Sequence, residues 1–282
     1  MKKIEIKEIL RANSMSPNKK FGQNFLCGNG VIDRIIKIAS VNKDDNILEI
    51  GPGLGGLTEK LIEKAGLVTA VEIDSGFVEY LNQKFYNSDN LKIIHSDFLK
   101  QNLSDNFTKV ISNLPYSFSS AILFNIIEKY HIKELYIMLQ KEMADRIISS
   151  PGTKKYGALT ITLGLYYRPE LLFNIDKRSF YPHPDCLSSF LRLTYREDSD
   201  LASGEVDLFH RIVRSAFWGR RKMLIKTLTE SPHLNLDSNM LLNVFRELNI
   251  DDRVRGERLG LEQFKVLAKK VYEYQNMTPP SC

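Results

Sequence analysis

Residues 46–56 have the sequence NILEIGPGLGG, which is the clearest indication of the fold. Its first half is a short apolar run typical of a buried strand, and its second half supplies the glycines of the pattern G-x-G-x-x-G. Residues 56–65 then have the apolar spacing of a helix. A strand that enters a helix through a glycine loop is typical of nucleotide-binding α/β folds, because glycine accepts positive φ and lets a ligand approach the backbone.

The same alternation continues beyond this unit. Short apolar runs predict further strands at residues 67–71, 91–94, 107–111 and 134–139. Amphipathic segments at 77–85 and 119–130 predict helices between them. Alternating strands and helices indicate a parallel sheet covered on both faces, so the predicted fold class is α/β. Longer apolar stretches at 159–167 and 186–195, with 171–175 between them, predict an antiparallel pair at the sheet edge.

The chain is predicted to have three parts. Residues 1–22 are polar and basic with little periodicity, and they predict a loosely held arm. Residues 23–198 form the predicted α/β domain, which ends in a polar linker. Residues 199–282 predict a small all-helical domain, with helices at 206–218, 223–229, 238–248 and 261–274.

Length and composition are those of a globular protein. The chain has 282 residues, of which 43% are hydrophobic and 26% charged, which excludes collagen, coiled coil and wholesale disorder. Its three cysteines are far apart, which argues against a disulfide framework or a zinc site and favours a reducing compartment. No signal peptide or apolar stretch long enough to cross a bilayer is found. We therefore expect a cytoplasmic monomer with no membrane span and no metal.

Positive charge is concentrated at the two ends. Residues 1–40 contain eight Lys and Arg against three Asp and Glu, and residues 201–282 contain 13 against 10. Basic ends could bind a polyanion, although a solvated surface is equally consistent with so small an excess. Arg220, Arg221 and Lys222 follow two aromatic residues and predict an RNA-phosphate contact, with a solvated helix start as the alternative.

Acidic residues follow the predicted strands and indicate the ligand. Glu72 is placed to accept hydrogen bonds from a ribose, and Asp97 from an adenine amine, although Asp97 could instead be a helix cap. Phe98 offers the adenine ring an apolar face. A hydride carrier would bring a pyrophosphate, whereas S-adenosylmethionine has no phosphate and a positive sulfonium, which suits an acidic lining. The predicted cofactor is therefore S-adenosylmethionine, and the backbones of Gly51 and Gly53 are predicted to contact it.

Residues 113–116, with the sequence NLPY, follow the predicted fourth strand. The amine of adenine is a poor nucleophile because its lone pair is delocalised into the ring. Two acceptors, the Asn113 side-chain oxygen and the Leu114 carbonyl, could localise that lone pair, and Pro115 would stiffen the loop. Tyr116 offers a flat surface on which the target base can stack, which needs the ring and not the hydroxyl. A turn that merely packs is the alternative.

These motifs together resemble those of the ribosomal RNA adenine dimethyltransferases. Residues 23–26, 49–58, 71–74, 96–99 and 113–116 occur in the family's order, and residues 20–26 and 180–185 resemble the small-subunit type. The resemblance covers residues 19–267. It implies a class I, Rossmann-like methyltransferase fold with a helical, rRNA-binding C-terminal domain. It also implies cofactor contacts at Asn24, Leu26, Gly51, Glu72, Asp97 and Asn113.

The implied reaction transfers two methyl groups to each of two adjacent adenosines near the 3′ end of 16S rRNA in the small subunit, with a role in ribosome biogenesis. Phe180 could form the other side of an aromatic sandwich around the flipped base, or it could be a core aromatic. Two other functions stay open. One is the large-subunit rRNA adenine methyltransferase of the macrolide-resistance type, and the other is a binding factor that acts as a checkpoint in small-subunit assembly.

Overall fold

The computed structural model describes residues 1–17, 22–104, 106–197 and 200–277. Over these residues the strands are β1 (Phe25–Leu26), β2 (Asn46–Ile50), β3 (Leu67–Glu72), β4 (Leu91–His95), β5 (Lys109–Asn113), β6 (Glu134–Gln140), β7 (Tyr167–Ile175), β8 (Phe180–Tyr181) and β9 (Ser188–Tyr195). The helices are α1 (Lys3–Ala12), α2 (Asn29–Ile38), α3 (Gly56–Lys64), α4 (Ser75–Lys84), α5 (Ser119–Lys129), α6 (Lys141–Ile147), α7 (Ala158–Tyr166), α8 (Ser203–Trp218), α9 (Leu224–Glu230), α10 (Ser238–Glu247) and α11 (Leu261–Met277).

Seven strands form one sheet, in the order β4-β3-β2-β5-β6-β9-β7. The strands from β2 to β6 pair in parallel, and β9 runs antiparallel to β6. The strand order reverses between β2 and β5. A crevice opens at the carboxyl ends of strands on either side of such a reversal, and α/β sheets bind their ligands there. The predicted α/β class is confirmed.

The central strands are covered on both faces. Ile47 and Leu48 of β2, and Val110 and Ile111 of β5, have no exposed surface. Because successive side chains of a strand point to opposite faces, both layers of helices contribute to this burial. Each such side chain stabilises the fold by roughly 1.5–3 kcal/mol. The loops at the ends of these strands therefore start from firmly packed positions.

The chain forms two compact units. The first contains Met1–Ala144 and Pro169–Tyr195, and the second contains Asp145–Arg168 and Arg196–Cys282. This division differs from the predicted ranges 23–198 and 199–282, because residues 145–168 belong to the second unit. The helical C-terminal region itself is present as predicted, in α8 to α11.

Helix α7 corrects the sequence prediction most clearly. The apolar stretch 159–167 was expected to be a strand, but residues 158–166 are helical and β7 begins at Tyr167. Ile161 and Leu165 are buried in the helical core of the second unit. A short apolar run with β-branched residues cannot be distinguished from a buried helix by periodicity alone, which explains the error.

Helix α1 corrects the predicted loose arm. Its residues Ile6 and Leu10 are buried and pack with Phe25, Leu54 and Phe77. Their spacing of four residues places them on one face of a helix, so the periodicity was present but short. Residues 18–21, at the end of the predicted arm, lie outside the described residues.

Candidate active site

The glycine loop joins β2 to α3. Gly51, Gly53 and Gly55 have φ values of 71°, 57° and 71°, a region that disfavours other residues. A Cβ atom on Gly53 would lie 2.9 Å from the ring of Phe25. Both the backbone conformation and the available space therefore require glycine at position 53.

Glu72, the last residue of β3, is hydrogen-bonded to this loop. Its Oε2 accepts a hydrogen bond from the Gly53 amide at 3.0 Å, and its Oε1 accepts from the Ile73 and Asp74 amides at 2.9 and 3.0 Å. Burial raises the pKa of Glu72, although the three amide donors oppose this shift. Oε1 accepts two hydrogen bonds but Oε2 accepts only that of Gly53, so Oε2 has a further lone pair that can accept from a ribose hydroxyl.

Two aspartates cap the turns beside the loop. Asp74 accepts from the Gly76 amide at 3.0 Å at the start of α4. Asp97 caps the short 3₁₀ turn Phe98–Lys100, where its Oδ1 accepts from the Leu99 amide at 3.0 Å. The capping alternative for Asp97 thus accounts for one oxygen. No donor in the described parts of the chain bonds to the other oxygen, Oδ2, which is available to a ligand.

Asn113, at the end of β5, has an amide group of fixed orientation. Its Nδ2 donates to the backbone carbonyl of Asn24 at 2.9 Å. A carbonyl only accepts, so the amide nitrogen must face it and Oδ1 must face away. This Oδ1 is buried, and no donor among the described residues bonds to it. The structure therefore holds an unpaired acceptor, which folding alone leaves unsatisfied.

Glu49 is a second buried carboxyl group at this edge of the sheet. Its side chain accepts a hydrogen bond from Thr58 Oγ1 at 2.7 Å, and only 2% of the residue is exposed. Burial raises the pKa of Glu49 to about 8, against the Thr58 bond, and the nearby charge of Glu72 adds to the rise. Glu49 is therefore largely protonated at neutral pH.

One cavity brings these groups together at the carboxyl edge of the parallel strands. It is lined by all of the predicted cofactor residues, namely Asn24, Leu26, Gly51, Gly53, Glu72, Asp97, Phe98 and Asn113. Apolar residues such as Ile73 and Leu99 also line it. The lining combines carboxylates, apolar side chains and an amide oxygen that has no donor among the described residues, and these groups suit the ribose, adenine and charged centre of S-adenosylmethionine.

Known proteins are similar to the chain in sequence over nearly its whole length. A model of the family described as ribosomal RNA adenine dimethylase matches residues 14–267. The chain is 38% identical to the ribosomal RNA small subunit methyltransferase A of Lachnoclostridium phytofermentans, over 94% of this chain and 95% of that protein. The relative of the same name from Hahella chejuensis is also 38% identical, over 91% and 93%.

The chain belongs to the ribosomal RNA adenine dimethylase family. The resemblance drawn from the motifs is confirmed, and so is S-adenosylmethionine as the methyl donor of this enzyme class. A dimethyladenosine transferase from Plasmodium falciparum has the same fold, with a TM-score of 0.78, 26% identity, and coverage of 89% of this chain and 98% of that one. The 23S rRNA methyltransferase ErmE gives 0.69 and 25%, over 88% and 99%.

The NLPY residues of this dimethylase-family chain do not share one environment. Leu114 and Pro115 line the cavity, and Leu114 is buried with its amide donating to the Met138 carbonyl at 3.3 Å. Tyr116 begins a 3₁₀ turn directly after them and does not line the cavity itself. Its hydroxyl is hydrogen-bonded to Ser188 Oγ at 2.6 Å. The residues of the two predicted acceptors, Asn113 and Leu114, therefore line the cavity, whereas the predicted stacking ring of Tyr116 lies next to them outside its lining.

Phe180 is not where the sandwich prediction requires it. The residue lies in β8 opposite Leu26 of β1, and none of its surface is exposed. Its ring packs in the apolar core of the first unit, so it has no free face for a base, and the core alternative is correct. Phe118, which no sequence motif indicated, lines the cavity and is 38% exposed.

The basic segment of residues 220–222, in the second unit, already uses two of its three cations in contacts within the chain. Arg220 donates to Glu257 at 2.7 Å and to the carbonyls of Lys154 and Thr153 at 2.6 and 2.8 Å, so every guanidinium nitrogen is used. Lys222 forms an ion pair with a glutamate and lies 4.8 Å above the Trp218 ring. Arg221 is exposed. Of the three predicted RNA contacts, Arg221 is the one that makes no ion pair or side-chain hydrogen bond with the described residues.

Asn24 and Leu26 were implied only by the family resemblance, and the structure supplies a reason for Asn24. Its carbonyl orients the Asn113 amide across 89 positions of sequence, a contact that no local pattern could indicate.

Within the described ranges, no cluster of three or more His, Cys, Asp or Glu side chains could hold a metal. In the same part of the chain, no helix is long and apolar enough to span a membrane.

Proposed function

We propose that the chain uses S-adenosylmethionine to dimethylate the exocyclic amines of two adjacent adenosines near the 3′ end of 16S rRNA in the small ribosomal subunit. The observation that carries this proposal is the buried Oδ1 of Asn113 at the cavity, which has no hydrogen-bond donor in the described parts of the chain. The choice of subunit is supported by relatives named ribosomal RNA small subunit methyltransferase A.

The role proposed for Asn113 follows from the chemistry of the adenine amine. An acceptor on the amine hydrogens favours a tetrahedral nitrogen with a localised lone pair. Asn113 Oδ1 is already desolvated and held in place through Nδ2, so it needs no reorganisation during the reaction. The Leu114 carbonyl is the proposed second acceptor, and Pro115 restricts the turn that carries it.

The cavity residues have matching roles in binding the cofactor. When bound, S-adenosylmethionine supplies a methyl group on a sulfonium cation. Glu72 and the glycine loop would hold its ribose, Asp97 Oδ2 would accept from its adenine amine, and Phe98 would cover the ring. These roles use the groups that the protein's own hydrogen bonds leave available.

A basic stripe on α1 is the proposed RNA contact of the first unit. Lys3, Lys7 and Arg11 are exposed, and their spacing of four residues places them along one face. The ammonium groups of Lys3 and Lys7 lie 5.8 and 5.5 Å from the ring centre of Tyr181. Met1, just before the helix, lines the cofactor cavity, so the stripe begins beside the site.

The fold does not distinguish the small-subunit function from the large-subunit alternative, because the 23S rRNA methyltransferase ErmE aligns over 88% of the chain. The names of the curated relatives favour the small subunit. A checkpoint role in assembly, the monomeric state and the cytoplasmic location stay predictions. An inactive Asn113 variant that still supports subunit assembly would point to the checkpoint role.

One assay tests the proposal. The protein and labelled S-adenosylmethionine are incubated with undermethylated small subunits, large subunits and the naked rRNAs, and the labelled nucleotides are mapped. We expect label on two adjacent adenosines of 16S rRNA, each dimethylated. Label confined to 23S rRNA would establish the large-subunit alternative instead.

A further inference from the structure

The hydroxyl of Tyr116 has a partner on a distant strand. Its Oη lies 2.6 Å from Oγ of Ser188, and no surface of Ser188 is exposed. Ser188 is the first residue of β9 and pairs with Gln140, the last residue of β6. Because β9 runs antiparallel to β6, it begins at the edge where the parallel strands end. The Tyr116 side chain therefore spans the end of β6, from the turn after β5 to the start of β9.

The Tyr116 side chain is held at both ends. At the backbone end, Tyr116 follows Pro115 and begins a 3₁₀ turn in which the Phe118 amide donates to the Pro115 carbonyl at 3.0 Å. At the other end, the Ser188 bond holds the hydroxyl. Burial raises the pKa of Tyr116 to about 12, while the Ser188 bond opposes the rise. The phenol thus stays protonated and keeps this bond at physiological pH.

We propose that Ser188 is a positioning residue, whose hydroxyl holds the Tyr116 ring in the orientation on which the target adenine stacks. The inference rests on the proposed function and on the stacking role that the NLPY motif predicts for Tyr116. It adds a role for the tyrosine hydroxyl, which stacking by itself does not need. A ring that is free to turn would present its face to the base for only part of the time, and the reacting amine would be misplaced.

The matched control is the neighbouring serine. Ser189 is equally buried, and its hydroxyl donates to Asn174 Oδ1 at 2.8 Å rather than to Tyr116. Ser189→Ala therefore removes one buried serine hydrogen bond from the same strand without changing the tyrosine. Any effect of Ser188→Ala beyond that of Ser189→Ala reports on Tyr116.

The first measurement follows the ring directly. In protein labelled with ¹³C in its tyrosine rings, the Tyr116 signals are assigned by their loss in Tyr116→Phe. We expect ring flipping to become faster in Ser188→Ala and to stay unchanged in Ser189→Ala. Equal flipping rates in wild type and Ser188→Ala would overturn the proposal, whatever the substrate of the enzyme proves to be.

The second measurement is single-turnover methyl transfer on the ribosomal subunit that the wild-type protein methylates. If that subunit proves to be the large one, the proposed function is wrong, but this test of Ser188 is still valid. Ser188→Ala and Tyr116→Phe should each lower the rate at saturating subunit by roughly 2- to 12-fold, the effect of one buried hydrogen bond. Affinity for S-adenosylmethionine should not change. The double variant should be no slower than the slower single variant. Effects that multiply, or a Ser188→Ala rate equal to that of Ser189→Ala, would overturn the proposal.

Discussion

The amide group of Asn113 is expected to contribute more to the rate of methyl transfer than to binding. Its Oδ1 is buried, unpaired within the described chain and oriented by Asn24. Asn113→Ala should lower single-turnover methyl transfer by roughly 10²–10³-fold, the scale of one lost preorganised polar group. Binding of the small subunit should change far less. Rapid-quench kinetics with mass analysis of the nucleosides measures both methylation steps.

Asn125 provides the control for this substitution. Its Nδ2 also donates to a carbonyl, that of Leu99 at 3.4 Å, and its Oδ1 is also buried without a partner in the described ranges. It does not line the cavity. Asn125→Ala should therefore leave the transfer rate near that of wild type. Near-normal turnover by Asn113→Ala would mean that the mechanism has the wrong acceptor.

Glu49 should make the stability of the cofactor-free protein depend on pH. Its pKa is about 8 in the folded protein against 4.5 ordinarily, so the folded state binds more protons than the unfolded state between these values. The contribution of Glu49 to stability is therefore fully present below about pH 4.5 and is lost as pH rises through about 8, with a slope of up to about 1.4 kcal/mol per pH unit. Glu49→Gln stays neutral and lacks this dependence.

Urea unfolding of wild type and Glu49→Gln at pH 5, 6, 7 and 8 measures this effect. The variant should gain stability relative to wild type as the pH rises. Parallel stability curves for the two proteins would show that Glu49 is ionised in the folded protein at neutral pH.

At the scale of elements, Glu72 links β3 to the glycine loop and should therefore affect both stability and binding. Glu72→Ala removes the proposed ribose acceptor and leaves the amides of Gly53, Ile73 and Asp74 without their partner. We expect S-adenosylmethionine affinity to fall by about 1.5–3 kcal/mol, the scale of a hydrogen bond to a charged group. The melting temperature should fall as well. Calorimetry that shows unchanged affinity in a folded variant would contradict the assignment.

The basic stripe of α1 should affect RNA binding alone. Lys7→Gln combined with Arg11→Gln should reduce the slope of log affinity against log salt by about 1.4, since each phosphate contact to single-stranded RNA contributes roughly 0.7. Affinity for S-adenosylmethionine should be unchanged. The control is Lys37→Gln with Lys64→Gln, an equal charge change near the carboxyl ends of α2 and α3. If the two double variants have the same salt slope, the stripe is only a solvated surface.

Elements whose signal is local could be predicted from the sequence. The glycine loop between β2 and α3 requires particular residues at adjacent positions, so its pattern predicted the fold class and glycines that line the cavity. Helix α7 was mistaken for a strand because its apolar residues are buried on several sides. The bond from Asn113 to Asn24 and the bond from Tyr116 to Ser188 join distant segments. Such contacts follow from tertiary packing, and no spacing rule indicates them.

Both ends of the chain are basic, but neighbouring cations differ in whether other groups of the protein already bind them. Arg220 and Arg221 are adjacent in sequence, yet Arg220 is bonded to Glu257 and to two carbonyls, whereas Arg221 is exposed. Arg220→Gln should therefore lower the melting temperature. Arg221→Gln should leave stability within about 0.5 kcal/mol, as for most surface substitutions, and should weaken subunit binding with a smaller salt slope. Thermal unfolding and salt-dependent binding of both variants test this separation, and equal effects on stability would contradict it.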